Sequence, residues 1–398
     1  MVTACLKERG GGTLGEIRAV SGAAQNHLPL MPCAAPETAA GRLAFSAAPE
    51  TAAGGLAFSA APETAAGGLA FSAAPETARY ICEPTPLGEK VLACWRKIPA
   101  FWPEISLIGC QLMPDHFHGI LFAERPLARA SGRKTLGDVI RGFKTGCREV
   151  GWEDGFVDNI LFREGQLQRM IDYLRDNPRR LAEKRAHPGL FRVVRDLRVL
   201  LAVSGANTRR IWGRFMAIGN QALLARPTLL QVQCSRADFR YARQKLPGGG
   251  WKTLRDPSGV PIAEFASGAF EEKCADAIAA ARHGAVLVSP CISHGEREIA
   301  RRAFVAGAAV IALRNKGFAR FQKPVGALFD SCARGNLLLL APAAWPYVPG
   351  DKPPTRESSL VLNRIAQLIA GEGAAEISYR GVRLPDVDIA MEKALGKE

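Results

Sequence analysis

His116 and His118 stand two residues apart in the run Gln111-Leu-Met-Pro-Asp-His-Phe-His-Gly-Ile-Leu-Phe122. Side chains on a β-strand alternate between faces, so two imidazoles at this spacing share a face and can grip one cation between them. Histidine is scarce here, with six in 398 residues. Downstream, in Tyr173-Leu-Arg-Asp-Asn-Pro178, is one of only five tyrosines. A cation held by imidazole beside a helical tyrosine, in a basic chain, suggests a tyrosine nucleophile directed at a phosphodiester. A structural histidine pair and a core-edge aromatic are the competing readings.

These residues need a hairpin and a helix to bring them together. Pro fixes φ and Asp can bond its own backbone, so Met113-Pro114-Asp115 is a natural turn between strands at Ile105–Met113 and His116–Ala123. Between Gly165 and Asn177 the pattern is helical, with Leu167, Met170, Ile171 and Leu174 forming an apolar stripe. Gln166, Arg169, Tyr173 and Asn177 follow its edge at steps of three or four, and Pro178 is expected to end or bend the helix. Upstream, Pro86–Pro99 contains a helix that buries Val91, Leu92 and Trp95. Leu136–Val150 reads as another helix, with Arg141, Lys144 and Arg148 on one face for phosphate contacts. From Arg179 to Arg214, ten Lys or Arg oppose Glu183 and Asp196, leaving +8 on a segment that could follow a DNA backbone.

Global composition points the same way. A formal charge of +14 fits a polyanionic partner, and no apolar span of about 20 residues suits a membrane. The ten cysteines include no Cys-X-X-Cys pair and no secretory leader precedes them, so they are expected to be reduced thiols in a cytoplasmic protein. Residues 34–78 carry a 13-residue repeat, Ala-Ala-Pro-Glu-Thr-Ala-Ala-Gly-Arg/Gly-Leu-Ala-Phe-Ser, in three full copies and a broken fourth. Each unit has too few large apolar residues for a solenoid layer, so a flexible insert is expected.

The second half alternates short apolar runs, Leu229–Cys234, Ala285–Ser289, Ala308–Leu313 and Leu337–Leu340, with helical stretches at Phe270–Arg282, Gly295–Ala306 and Gln322–Arg334. That alternation predicts a doubly wound parallel α/β sheet. The strand ends Cys234–Arg236, Ser289–Ser293 and Arg314–Gly317 should then share one edge, where such sheets bind ligands. Ser289, Ser293 and Glu296 could equally well cap and start the following helix.

The Met-Pro-Asp-His-Phe-His-Gly block, the basic helix at 135–150, the segment Phe156-Val-Asp-Asn-Ile-Leu and Tyr173-Leu-Arg-Asp-Asn-Pro-Arg-Arg together resemble the HUH single-tyrosine transposases, specifically the REP-associated tyrosine transposases. The likeness spans about residues 79–192, plus Val2–Leu6 and Leu14–Ile17, which resemble the first strand and its turn. Val157 and Asn159 depart from it, standing where that segment often carries an aromatic and a basic residue or His. The resemblance implies an α+β ferredoxin-like HUH domain, an antiparallel sheet with helices. It begins in 1–33, is interrupted at 34–78 and resumes over 79–192. It further implies that His116, His118 and Asn177 hold a divalent metal, Mg or Mn, and that Tyr173 forms a 5′-phosphotyrosine while nicking and rejoining single-stranded DNA. Arg169, Arg179 and Arg180 would join Arg141, Lys144 and Arg148 as DNA-binding residues.

After a basic linker at 193–216, residues 217–398 resemble the Rossmann-like domain of the DNA-processing protein A and lysine-decarboxylase-like (LOG) group, on Gly335-Asn-Leu-Leu-Leu-Leu-Ala-Pro342. The Gly-rich phosphate loop expected after its first strand is absent, which speaks against nucleotide hydrolysis. The leading expectation is therefore a metal-dependent tyrosine transposase acting on single-stranded hairpin or repeat DNA, as monomer or homodimer. The alternatives are a catalytically inactive or domesticated DNA-binding protein and, last, a nucleotide-processing enzyme.

Overall fold

The computed structural model describes residues 1–7, 13–20, 79–129, 132–162, 165–203, 209–246, 250–256, 259–350, 354–371 and 382–396. The repeats at 34–78 lie outside them. Two compact units divide the described chain, the first running through Arg185 and the second beginning at Ala186. Both mix α and β structure.

In the first unit, β1 (Val2–Cys5), β2 (Gly15–Val20) and β3 (Arg79–Pro84) precede the helices α1 (Pro86–Arg96) and α2 (Ile98–Phe101). Strands β4 (Ile105–Met113) and β5 (His116–Ala123) form the expected hairpin about Pro114-Asp115, residue for residue. The short β6 (Ala128–Arg129) and β7 (Gly132–Arg133), helix α3 (Leu136–Gly146), β8 (Val157–Asp158) and the long helix α4 (Gln166–Ala186) complete the unit. Its main sheet runs β4-β5-β1-β8 with every neighbour antiparallel. The Thr85 hydroxyl accepts from Gly88 N at 3.2 Å and Pro86 sits in the first turn, which together start α1.

The two faces of β5 do different work. Phe117 packs with Trp95 of α1 and Phe143 of α3, with ring centroids 5.0 and 5.3 Å away. Gly119 belongs to this face, where a Cβ would come within 2.3 Å of the Trp95 ring, so only glycine lets the indole lie against the strand. His116, His118 and Ile120 alternate onto the opposite face, and there Ile120 buries against Leu174 of α4.

Helix α4 does not end at Pro178. It runs on to Ala186, and ion pairs from Arg179 and Arg180 to Asp176, both at 2.6 Å, strap the turns on either side of the proline. Leu167, expected on the apolar stripe, is exposed, while Leu174 is fully buried.

The second unit holds β9 (Val194–Val203), β10 (Arg209–Gly219), β11 (Leu229–Gln231), β12 (Phe239–Tyr241), β13 (Arg243–Lys245), β14 (Trp251–Thr253) and β15 (Ala263–Ala266). Then come α5 (Gly268–Arg282), β16 (Val286–Ser289), α6 (His294–Val305), β17 (Val310–Leu313), α7 (Ala327–Ala333), β18 (Leu337–Pro342), α8 (Arg356–Ala370) and α9 (Leu384–Ala394). Its sheet order is β11-β16-β17-β18-β10-β9, parallel from β11 to β18 and antiparallel beyond. All residues of β16, β17 and β18 are buried, because α5, α6 and α7 cover one face and α8 and α9 the other.

Residues 193–216 are not a linker. They supply β9 and most of β10, whose Leu201, Val203, Ile211 and Phe215 point into the core while Arg195, Arg198, Arg209 and Arg210 stay exposed. Arg198 and Arg210 are on the outward side of the alternating strand pattern, Arg195 and Arg209 are exposed near the strand ends, and Arg214 pairs with Asp196 across the hairpin at 2.8 Å. Among the described residues, no helix is long and apolar enough to cross a membrane.

Candidate active site

β5 projects His116 and His118 side by side, with ring centroids 4.7 Å apart and planes nearly perpendicular. Each ring is anchored through Nδ1. For His116 the partner is the Asp115 carboxylate at 2.6 Å, and for His118 it is the Thr3 hydroxyl at 2.8 Å. Among the described residues neither Nε2 has a partner. A proton on Nδ1 leaves the Nε2 lone pair for a cation, the arrangement that metal-binding histidines use.

His118 is only 7% exposed, and its pKa is pushed down to about 3, chiefly by burial and then by neighbouring His116, against a smaller upward pull from Asp115. It is therefore a neutral imidazole at ordinary pH, the form that ligates.

Helix α4 brings Tyr173 to this pair. Its ring centroid lies 6.4 Å from that of His118, and the Arg180 guanidinium sits 5.6 Å from the tyrosine ring. Asn177, one helical turn beyond Tyr173, is buried with its Nδ2 lacking any hydrogen-bond partner. A buried amide with unused capacity is uncommon, and turning it over exchanges oxygen for nitrogen at the same position. Two Nε2 lone pairs and one such amide are donors that fit a divalent cation of the Mg or Mn class. Among the described residues, no three His, Cys, Asp or Glu side chains gather into a metal-holding group.

The expected DNA-binding residues are placed unevenly. Arg141 is exposed on α3, with a 3.4 Å pairing to Asp138. Lys144 turns inward, donating to the carbonyls of Glu153, at 2.7 Å, and Gly155, and lying 6.0 Å from the Trp152 ring. It holds a loop, and its pKa is lowered mainly by burial. Arg148 falls beyond the end of α3 in a separate 3₁₀ turn, so the three cations do not share one helical face. Arg179 and Arg180 both grip Asp176, and Arg180 is buried. Arg169 is half-buried in the first turn of α4.

The fold adds three residues to this site. Thr3 is the cross-strand partner of His118 on β1, and Gln111 is its partner on β4, so both share its face. The third is Asp115, which works as a turn former and an anchor at once. Its signal was in the sequence, because a carboxylate beside a ligating histidine commonly takes the second ring nitrogen.

The expected edge of the second unit also forms. Pro290, Cys291 and Ile292 after β16 and Arg314, Asn315 and Lys316 after β17 line one cleft. Here Ser293 and Glu296 close a capping box at the start of α6. Glu296 Oε2 accepts from the backbone N–H groups of Ile292 and Ser293 at 2.8 and 3.0 Å, and Ser293 Oγ accepts from Glu296 N at 3.1 Å. Cys291 has a positive φ of 53°, and burial raises its thiol pKa, which opposes a thiolate role.

No family model matches this chain, and no solved structure matches it. A protein of Haemophilus influenzae described as uncharacterised is 24% identical to it over 116 residues, which cover 23% of this chain and 64% of that protein. The chain thus spans less than two thirds of that relative's length.

Proposed function

We propose that the first unit is a metal-dependent tyrosine transesterase of the REP-associated transposase type, which nicks and rejoins single-stranded DNA. The observation that carries this reading is the approach of Tyr173 to His118, 6.4 Å between ring centroids, across 55 residues of sequence. An antiparallel sheet with its histidine pair on an inner strand and its tyrosine on a covering helix supports assignment to the ferredoxin-like HUH fold. The parallel strands of the second unit, covered by helices on both faces, support a Rossmann-like assignment, with a DNA-binding or scaffolding role.

In this mechanism His116, His118 and Asn177 would hold a divalent cation, whose chemistry when bound would be to polarise the scissile phosphate and offset the charge that develops on it. Tyr173 Oη attacks phosphorus and gives up its phenolic proton to solvent. The bond to the 3′-oxygen breaks, that oxygen takes a proton from solvent and leaves as a free 3′-hydroxyl, and the 5′-phosphate stays esterified to Tyr173. Because the ester conserves the bond, attack by another 3′-hydroxyl reverses the step without a nucleotide cofactor. Arg180 lies against the tyrosine ring, and Asp176 fixes that arginine. Single-stranded hairpin DNA is the expected substrate, since an attacking tyrosine needs an exposed and bent backbone.

The test is incubation of the full chain with Mn²⁺ or Mg²⁺ and a pool of single-stranded hairpin DNA labelled at its 3′ end, followed by denaturing gel electrophoresis. A labelled protein adduct that is lost in Tyr173→Phe is expected. Salt-sensitive binding with no adduct would instead establish a non-catalytic DNA-binding protein.

A further inference from the structure

We infer that Thr3 is a positioning residue that sets which nitrogen of His118 carries the proton, and so decides whether that ring can accept a cation. The inference rests on the metal-site reading above and extends it to a residue 115 positions away in sequence. β1 lies inside the sheet, paired with β5 on one side and β8 on the other, and its register sets Thr3 directly opposite His118. A β-branched side chain has few χ1 choices, so this register also fixes the direction of the hydroxyl, 2.8 Å from Nδ1.

The two histidines are held by chemically different partners. Asp115, as a carboxylate, can only accept from His116 Nδ1–H, which leaves the Nε2 lone pair of that ring outward. The Thr3 hydroxyl can accept or donate. When it accepts from Nδ1–H, His118 also presents a lone pair at Nε2. When it donates to Nδ1, Nε2 carries a proton and repels a cation. Because His118 is buried, water is poorly placed to substitute for this hydroxyl.

Replacing the hydroxyl by a methyl group of similar size removes the partner of Nδ1. A neutral ring then avoids a buried, unpaired N–H by carrying its proton on Nε2. Thr3→Val, a good strand former, is therefore expected to convert His118 to the Nε2–H tautomer and to weaken Mn²⁺ binding about 10-fold or more, while Thr3→Ser keeps both properties near wild type.

Nitrogen-15 NMR of the histidine rings in the metal-free full chain reads the tautomer, and titration with Mn²⁺ followed by electron paramagnetic resonance reads affinity. A Thr3→Val protein that keeps the Nδ1–H form, or that binds Mn²⁺ as tightly as wild type, overturns the role of Thr3. Absence of saturable Mn²⁺ binding by the wild-type chain overturns the metal-site reading itself. The metal-free spectrum distinguishes these two failures, since it needs no cation.

Discussion

At β5, His116 and His118 each commit one ring nitrogen to an anchor and keep the other uncommitted among the described residues. At the end of β16, Ser293 and Glu296 commit their oxygens to the N–H groups that begin α6, and Arg297 donates to the carbonyls of Cys291 and Ile292 at 2.9 and 3.0 Å. Both places gather residue types that could do chemistry. They differ in what the fold leaves unused. The N–H groups at the head of α6, which would otherwise attract an anionic ligand, already face a carboxylate from their own helix. Near β5 the unused capacity includes a buried amide, Asn177, with no partner for its nitrogen. Residue type nominates a site, but the local hydrogen-bond balance decides between a cap and a catalyst.

The largest effect expected from this contrast is on the covalent DNA adduct. Tyr173→Phe removes the nucleophile and should lower adduct formation roughly 10³-fold or more, and His118→Ala should approach the same loss. Glu296→Gln, in the second unit, should leave the adduct yield unchanged. Quantifying labelled protein on denaturing gels checks all three. An adduct abolished by Glu296→Gln would break the comparison by making the capped edge part of the chemistry.

How much of this could be read beforehand follows from the range of the interactions concerned. The β4–β5 hairpin was legible to the residue, because strand alternation and a Pro-Asp turn are local signals. So were the buried parallel strands and the joint approach of Tyr173 and the histidines to one face of the sheet. Thr3 was assigned to a strand, but its contact with His118 depends on register between segments over a hundred residues apart. Lys144 was misplaced because helical spacing cannot show that residues 153–155 fold over its ammonium group. The hairpin at 194–219 was hidden by its arginines: a charge count over 179–214 reads +8, whereas the apolar residues between the charges make core strands. Pro178 does not end α4, which runs on to Ala186 with Arg179 and Arg180 both paired to Asp176; a proline's local effect does not by itself fix where a helix stops.

Next in size are changes to the supports beneath each region. Gly119→Ala would drive a methyl group to 2.3 Å from the Trp95 ring, directly behind the strand that carries His118. Overpacking of this kind costs about 1–3 kcal/mol, and urea unfolding should show it together with weaker adduct formation. Ser293→Ala removes the hydroxyl cap of α6 and should cost about 1 kcal/mol with no change in the adduct. Equal loss of adduct in both variants would mean that the two regions are coupled through global stability, and the contrast between them would lose its force.

The smallest effect near neutral pH is a titration that both regions share but only one should yield to metal. His118 has its native pKa pushed down to about 3 by burial, with His116 and Asp115 beside it. His294 is lowered to about 4 by burial and by Arg297, Arg243 and Arg236. In the unfolded chain both rings titrate near pH 6.5, so below that value the unfolded state binds more protons than the native one. Their contribution to stability is therefore complete above about pH 6.5 and is lost as the pH falls, to about 4 for His294 and to about 3 for His118. For the buried His118 the slope is at most about 1.4 kcal/mol per pH unit. Urea midpoints from pH 7 to 5 should flatten in His118→Gln and, more weakly, in His294→Gln, whose wild-type ring is only half-buried. Saturating Mn²⁺ should raise the wild-type midpoints across this range without changing the slope that His118 contributes, because the native ring already holds no proton there, and this rise should survive His294→Gln but not His118→Gln. If it survived both, the cation would be held elsewhere, and the unused nitrogens of the histidine pair would not be its ligands.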